Sequence, residues 1–177
     1  MTRAKVCGLT TALDLRAAVD AGADAVGVVA AVPVDSPREV SVETARDLLA
    51  SAPPLVSSVL VTMPETAERA VELADSVAPD VLQLHGDLPV GDVAYVAANT
   101  DVDVLKAVDA TDGGAGRYDD VVDALLVDSV GEDGGGGTGR THDWDATREF
   151  AASVGSPVVL AGGLTPENVG DAVEAVD

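Results

Sequence analysis

An α/β protein of repeated strand–helix units is the fold class this sequence encodes, and three observations predict it. Short runs rich in Val and Leu alternate with longer Ala-rich amphipathic stretches along all 177 residues, the pattern of a parallel sheet whose strands are joined by helices. Hydrophobic residues make up 47% of the chain and aromatic residues only 2%, so the core is built from Ala, Val and Leu rather than large rings. No composition shift, proline-rich linker or low-complexity tail divides residues 1–177, which therefore read as one domain. At 17.7 kDa a chain buries roughly 70% of its unfolded surface, enough for a substantial core.

The first strand is expected at Lys5–Gly8, where alternation puts Lys5 and Cys7 on one face and Gly8 allows a sharp exit. A helix follows at Thr11–Ala21, then a strand at Ala25–Ala30. This strand opens the longest apolar stretch, Ala25–Val34, which contains Pro33 and is far short of the ~18 residues of a membrane span. Ser41-Val42-Glu43 announces a helix at Val42–Ala50, and Thr62-Met63-Pro64-Glu65 announces one at Pro64–Ser76 after a strand at Leu55–Val61. Strands at Val81–Leu84, Val104–Ala107 and Leu125–Asp128 alternate with helices at Val90–Ala98 and Asp119–Val122. A helix at Trp144–Ser153, a strand at Val158–Ala161 and a helix at Pro166–Val176, introduced by Thr165-Pro166-Glu167, complete the series. Seven strands fit either an open doubly wound sheet or a (β/α)8 barrel without its last unit, and periodicity does not separate the two. In both, ligands bind at the strand C-terminal ends and the loops beyond them.

Asp and Glu number 31 against 10 Lys and Arg, a formal charge of -21 with a pI near 4.1. Such a surface repels nucleic-acid phosphates and anionic membranes. The acids are spread along the whole chain, which predicts adaptation to high salt, where a Debye length of about 3 Å at 1 M removes the self-repulsion. The lone cysteine excludes an internal disulfide. The N-terminus does not lead into a signal-peptide core, and the expected setting is soluble and cytoplasmic.

Several residues at the strand ends carry chemistry. Cys7 sits at the mouth, as a small hydrophobe or as a reactive thiol, and the second role needs a neighbouring cation, for which Lys5 is a candidate, or oriented dipoles. Arg38 lies in a loop stiffened by Pro33 and Pro37 and suits either a planar carboxylate ligand or a neighbour such as Glu39. Gln83 and His85 point together away from Leu82 and Leu84 and need partners, in the protein or from a ligand. Asp128 ends an apolar run, where a carboxyl is either a turn former or a protonated general acid. In Gly134–Thr141, Gly134, Gly136 and Gly139 match G-x-G-x-x-G, but the segment is too far from both its strand and its helix for a dinucleotide turn, and Arg140 replaces the P-loop lysine. A flexible glycine-rich lid fits better. Gly162-Gly163 before a helix start is a turn, or a place where backbone N–H groups approach an anion.

Taken in order, Lys5-Val6-Cys7-Gly8-Leu9-Thr10, Ser36-Pro37-Arg38, Gln83-Leu84-His85-Gly86, Leu126-Val127-Asp128, Gly136-Gly137-Thr138-Gly139 with His142-Asp143-Trp144, and Ala161-Gly162-Gly163-Leu164-Thr165-Pro166-Glu167-Asn168-Val169 resemble the phosphoribosylanthranilate isomerase family of tryptophan biosynthesis. The resemblance implies a (β/α)8 barrel performing an Amadori rearrangement on a phosphosugar substrate, with no metal or organic cofactor. It implies that Cys7 is the base, Asp128 the acid and Arg38 the contact to the anthranilate carboxylate. It further implies that Gly162 and Gly163 bind phosphate and that Gly136, Gly137 and Gly139 belong to a mobile loop; Gln83 and His85, on the interior face, are expected to bind the substrate. Family members continue into an eighth βα unit, so the chain is expected to be a C-terminally incomplete barrel. Other phosphosugar barrels rely on His/Asp metal sets or Lys/Glu pairs absent here. A truncated, non-catalytic binding paralogue is the other alternative, and oligomeric state is open.

Overall fold

The computed structural model of the chain describes residues 2–128 and 144–176. Its elements run β1 Lys5–Cys7, α1 Ala12–Asp20, β2 Ala25–Ala30, β3 Glu39–Val40, α2 Val42–Leu49, β4 Ser57–Thr62, α3 Ala67–Val77, β5 Val81–Leu84, α4 Val90–Ala98, β6 Asp103–Val108, a 3-10 segment Ala115–Val121, β7 Ala124–Val127, α5 Trp144–Ser153, β8 Val158–Leu160 and α6 Val169–Val176. All strand pairs are parallel, in the order β1-β2-β4-β5-β6-β7-β8, with the short β3 beside β2. Spatial order therefore follows chain order. A doubly wound sheet reverses its order at a switch point, and none is present among the described strands. The sheet is singly wound, the wall of a parallel α/β barrel.

Both faces of that wall are apolar, as parallel strands covered on each side require. Val26, Val28, Leu60, Leu82, Leu84, Val104, Leu125 and Val127 pack outward beneath the helices. Leu105, Ala107 and Leu126 form a separate inward cluster with Val81, Ala124, Val159 and Ala161. Among the described residues no helix is long and apolar enough to cross a membrane.

Caps fix the helix starts. The hydroxyls of Thr11, Ser41 and Thr66 accept from the backbone N–H groups of Asp14, Thr44 and Arg69. The start expected at Thr62–Glu65 is displaced one turn, because β4 continues through Thr62, whose hydroxyl donates to Ala31 O instead. The helix expected at Asp119–Val122 is the longer 3-10 segment, and α6 begins at Val169 after a turn over 165–168.

Part of the acidic excess is structural. Asp24, Asp80 and Asp123 each directly precede a strand, and each accepts an N–H at the start of the neighbouring strand: Ala4 N, just before β1, at 2.8 Å, and Ser58 N and Val104 N, in the second positions of β4 and β6, at 2.8 Å each. Their own N–H groups donate back to the carbonyls of the same residues. These reciprocal pairs lock the register of β1/β2, β4/β5 and β6/β7 at the strand N-terminal ends. The opposite edge is left for binding.

Candidate active site

Register decides which side chains share the inside of the wall. Cys7 is paired with Gly27, Gly27 with Val59 and Val59 with Val81, and farther round Gln83 with Leu105 and Ala107 with Leu126. Partners in a ladder point to the same face and alternate residues share it. Lys5, Cys7, Gln83, His85 and Asp128 therefore belong to the inward row, with Cys7, His85 and Asp128 at its C-terminal edge.

The first group is Lys5, Cys7 and Gly27. Cys7 is exposed, so it is not the small buried hydrophobe that a lone cysteine commonly is. A Cβ added at Gly27 would lie 2.9 Å from Cys7 Sγ and 3.3 Å from Lys5 Nζ. Sulfur and ammonium thus lie within about 6 Å of each other, inside the range over which charges interact strongly. An exposed thiol beside a cation is the setting of a reactive cysteine.

Arg38 joins this group from the loop after β2. Gly8 turns the chain out of β1 at φ +82°, and a Cβ there would lie 2.6 Å from Arg38 Cδ, so the arginine stem crosses the exit of the strand carrying Cys7. Glu39 does not pair with it: Glu39 Oε1 accepts from Val32 N, and Arg38 is in no ion pair among the described residues. Its guanidinium is available to an external carboxylate.

Gln83 and His85 form the second group. Both are buried, and Gln83 Nε2 lies 2.6 Å from His85 Nε2. Burial lowers His85 from an ordinary 6.5 to about 4, and the charges of Lys106 and Lys5 push it the same way. The ring is neutral at pH 7, so the Gln83 amide donates to Nε2 and the ring proton sits on Nδ1. Gln83 Oε1 is buried without a partner among the described residues. The pair thus offers one donor and one acceptor at the base of the cup.

The depressed value has a measurable consequence. Between pH 6.5 and 4 the unfolded chain takes up a proton at His85 that the native chain does not, so stability falls as pH falls through that window, by about 3 kcal/mol. Urea midpoints of the protein should therefore decline more steeply from pH 6.5 to 4 than those of His85→Gln. Parallel curves would remove His85 from the account.

Asp128 follows β7 on the far side of the wall, buried at 7% exposure, with its N–H donating to Val108 O. Gly162 and Gly163 follow β8 with φ of +82° and +62°, a region that L side chains enter at a cost of roughly 1–2 kcal/mol. Asn168 holds this turn, donating from Nδ2 to Gly163 O and accepting from Thr165 N at Oδ1. Gly136, Gly137 and Gly139 lie outside the described residues. Among the described residues no group of three or more His, Cys, Asp or Glu is arranged to hold a metal ion.

The sequence reading passes over two participants. Gly27 gives no local signal, because its role is to leave room for a neighbour on another strand. Lys106 gives one: it is a lone cation in the otherwise apolar stretch 104–108 of β6.

A family model described as N-(5'phosphoribosyl)anthranilate (PRA) isomerase matches residues 4–177. The chain is 69% identical to an N-(5'-phosphoribosyl)anthranilate isomerase of Halobacterium salinarum, covering 100% of this chain and 83% of that protein. It is 54% identical to the enzyme of the same name from Haloferax volcanii, covering 100% and 80%. These halophilic relatives agree with the high-salt reading of the charge. Among solved structures, phosphoribosyl anthranilate isomerase from Thermotoga maritima superposes with a TM-score of 0.85 at 35% identity, over 99% of this chain and 84% of that one. A phosphoribosyl anthranilate isomerase in complex with reduced 1-(o-carboxyphenylamino)-1-deoxyribulose 5-phosphate superposes with a TM-score of 0.82 at 33% identity, over 99% and 83%.

Proposed function

The chain belongs to the N-(5'-phosphoribosyl)anthranilate isomerase family of tryptophan biosynthesis, and on that premise we propose that Cys7 and Asp128 are the base and acid that carry its reaction. Asp128 donates a proton to the furanose ring oxygen. The C1′–O bond breaks as the anthranilate nitrogen lone pair forms an iminium. Cys7 then takes the proton from C2′, giving an enolamine; in the tautomerisation to the ketone C1′ takes a proton from the Cys7 thiol and the C2′ hydroxyl gives its proton to the Asp128 carboxylate, so both groups regain their starting states. Acid and base act at different atoms of one sugar, so they belong on opposite sides of the cup, each contributing roughly 10²- to 10⁴-fold.

The observation that supports this reading is the shared inward register of Cys7 and Asp128 at the same ends of β1 and β7. Arg38 receives the anthranilate carboxylate, for which its fork is suited. Gln83 and His85 hold the sugar hydroxyls through the free Oε1 and the Nδ1 proton. Gly162 and Gly163 bind the phosphate through backbone N–H groups. The architecture that goes with this chemistry is a single (β/α)8 ring over one domain, with an eighth βα unit between β8 and β1, acting in the cytoplasm.

Arg38→Met tests the substrate orientation. It removes a charge-assisted contact remote from the reacting atoms, so KM for N-(5'-phosphoribosyl)anthranilate should rise about 10- to 100-fold with kcat nearly unchanged. An unchanged KM would show that the carboxylate binds elsewhere.

A further inference from the structure

The chain contains two lysines against 31 acidic residues, and among the described residues neither is spent on a surface ion pair. Lys5 lies inside the cup. Lys106 is 3% exposed on β6, paired in register with Leu84 and Leu125, which places it between the sheet and the helices. In that layer its ammonium works on the backbone. Nζ donates to Gly86 O at 2.8 Å and to Ala107 O at 2.7 Å, beneath the Tyr118 ring at 5.2 Å from the centroid. Tyr118 in turn donates its hydroxyl to Leu88 O at 2.8 Å, and the Arg117 guanidinium lies 5.1 Å from the same centroid.

Two donors from β6 and the 3-10 segment therefore grip the carbonyls of residues 86 and 88 in the loop that leaves β5. That loop begins with His85, whose N–H is tied to Thr62 O, and turns at Gly86 with φ +78°. Without the ammonium, the carbonyl of Gly86 loses its side-chain donor. Burying an ammonium with no carboxylate partner is costly, and an apolar side chain would fill the layer without that cost. Burial lowers Lys106 to about 8, Asp87 opposing the shift and Arg117 adding to it. What the amine provides in return is the fixed path of the loop.

We propose that Lys106, with Tyr118, is a positioning residue for the isomerisation, holding the Gly86–Leu88 carbonyls so that His85 meets the substrate in one orientation. This rests on the reading of His85 as a substrate contact. The test compares Lys106→Met, Tyr118→Phe and His85→Gln for kcat and KM with N-(5'-phosphoribosyl)anthranilate, alongside the His85 ring resonances by NMR. Lys106→Met should raise KM about tenfold and leave kcat within about threefold, as loss of ground-state positioning requires. Tyr118→Phe, which keeps the ring and deletes one bond, should raise KM by a smaller factor, about threefold, and keeps the test alive if the methionine variant does not fold. Both should shift the His85 resonances. Wild-type KM and wild-type His85 resonances in Tyr118→Phe and in any folded Lys106→Met, beside an impaired His85→Gln, overturn the positioning role alone. A His85→Gln enzyme with unchanged KM overturns the substrate role of His85 beneath it.

Discussion

Asp128→Asn is expected to lower kcat about 10²- to 10⁴-fold with little change in KM, and Cys7→Ser to do the same, with the two variants failing at different bonds. Asparagine keeps the shape of the side chain and supplies no acidic proton, so the furanose stays closed and the substrate is recovered as it was. Serine leaves Asp128 in place, so the ring still opens to the iminium and closes again. The substrate then interconverts between its C1′ anomers without forming the ketose. Following the anomers by NMR alongside product formation separates the roles: anomer exchange persisting in Cys7→Ser and absent in Asp128→Asn is the expected pattern. The reverse pattern would exchange the assignments, and near-normal turnover in either variant would remove that residue from the chemistry.

Gly27→Ala is expected to cost about 10²-fold in kcat while changing stability by less than about 1 kcal/mol. The added methyl would begin 2.9 Å from Cys7 Sγ and 3.3 Å from Lys5 Nζ. Both are ends of rotatable side chains, so the barrel wall accommodates the change by letting the sulfur swing aside. Chemistry is less forgiving: on the proposed role of Cys7, a displacement on the order of 1 Å would take the base off its proton. A destabilised protein with intact turnover per folded molecule would show instead that Gly27 serves packing. The comparison gauges how tightly β2 fixes the sulfur, since Gly27 is its register partner on the neighbouring strand.

What the sequence reveals and what it hides have physical reasons. Helices at Val90–Ala98 and Trp144–Ser153 are read to the residue, because local periodicity and local breakers bound them. Local caps mislead where a strand competes: Thr62 has the features of a helix start, but ladder bonds to β5 keep it extended and Thr66 caps the helix instead. Strand order is a non-local property, so periodicity leaves barrel and doubly wound sheet equally open until the pairing of β1 through β8 is seen. That Lys5 shares a face with Cys7, and Gln83 with His85, follows from alternation alone, and the pairing of the strands then makes that face the inward one. Arg38 against Gly8, Gly27 beneath the sulfur and Lys106 under Tyr118 are contacts between distant segments, which no spacing encodes. The pinning of strand starts by Asp24, Asp80 and Asp123 is hidden for another reason: in so acidic a chain, three structural carboxylates look like surface charge.

A crystal structure of the protein with reduced 1-(o-carboxyphenylamino)-1-deoxyribulose 5-phosphate bound tests the acid–base pairing most directly. The account predicts Cys7 Sγ at the C2′ side of the sugar and the Asp128 carboxyl at the oxygen that leaves C1′, each within about 3.5 Å of its target. A complex in which either group is turned away from the sugar, or both approach the same atom, would contradict it.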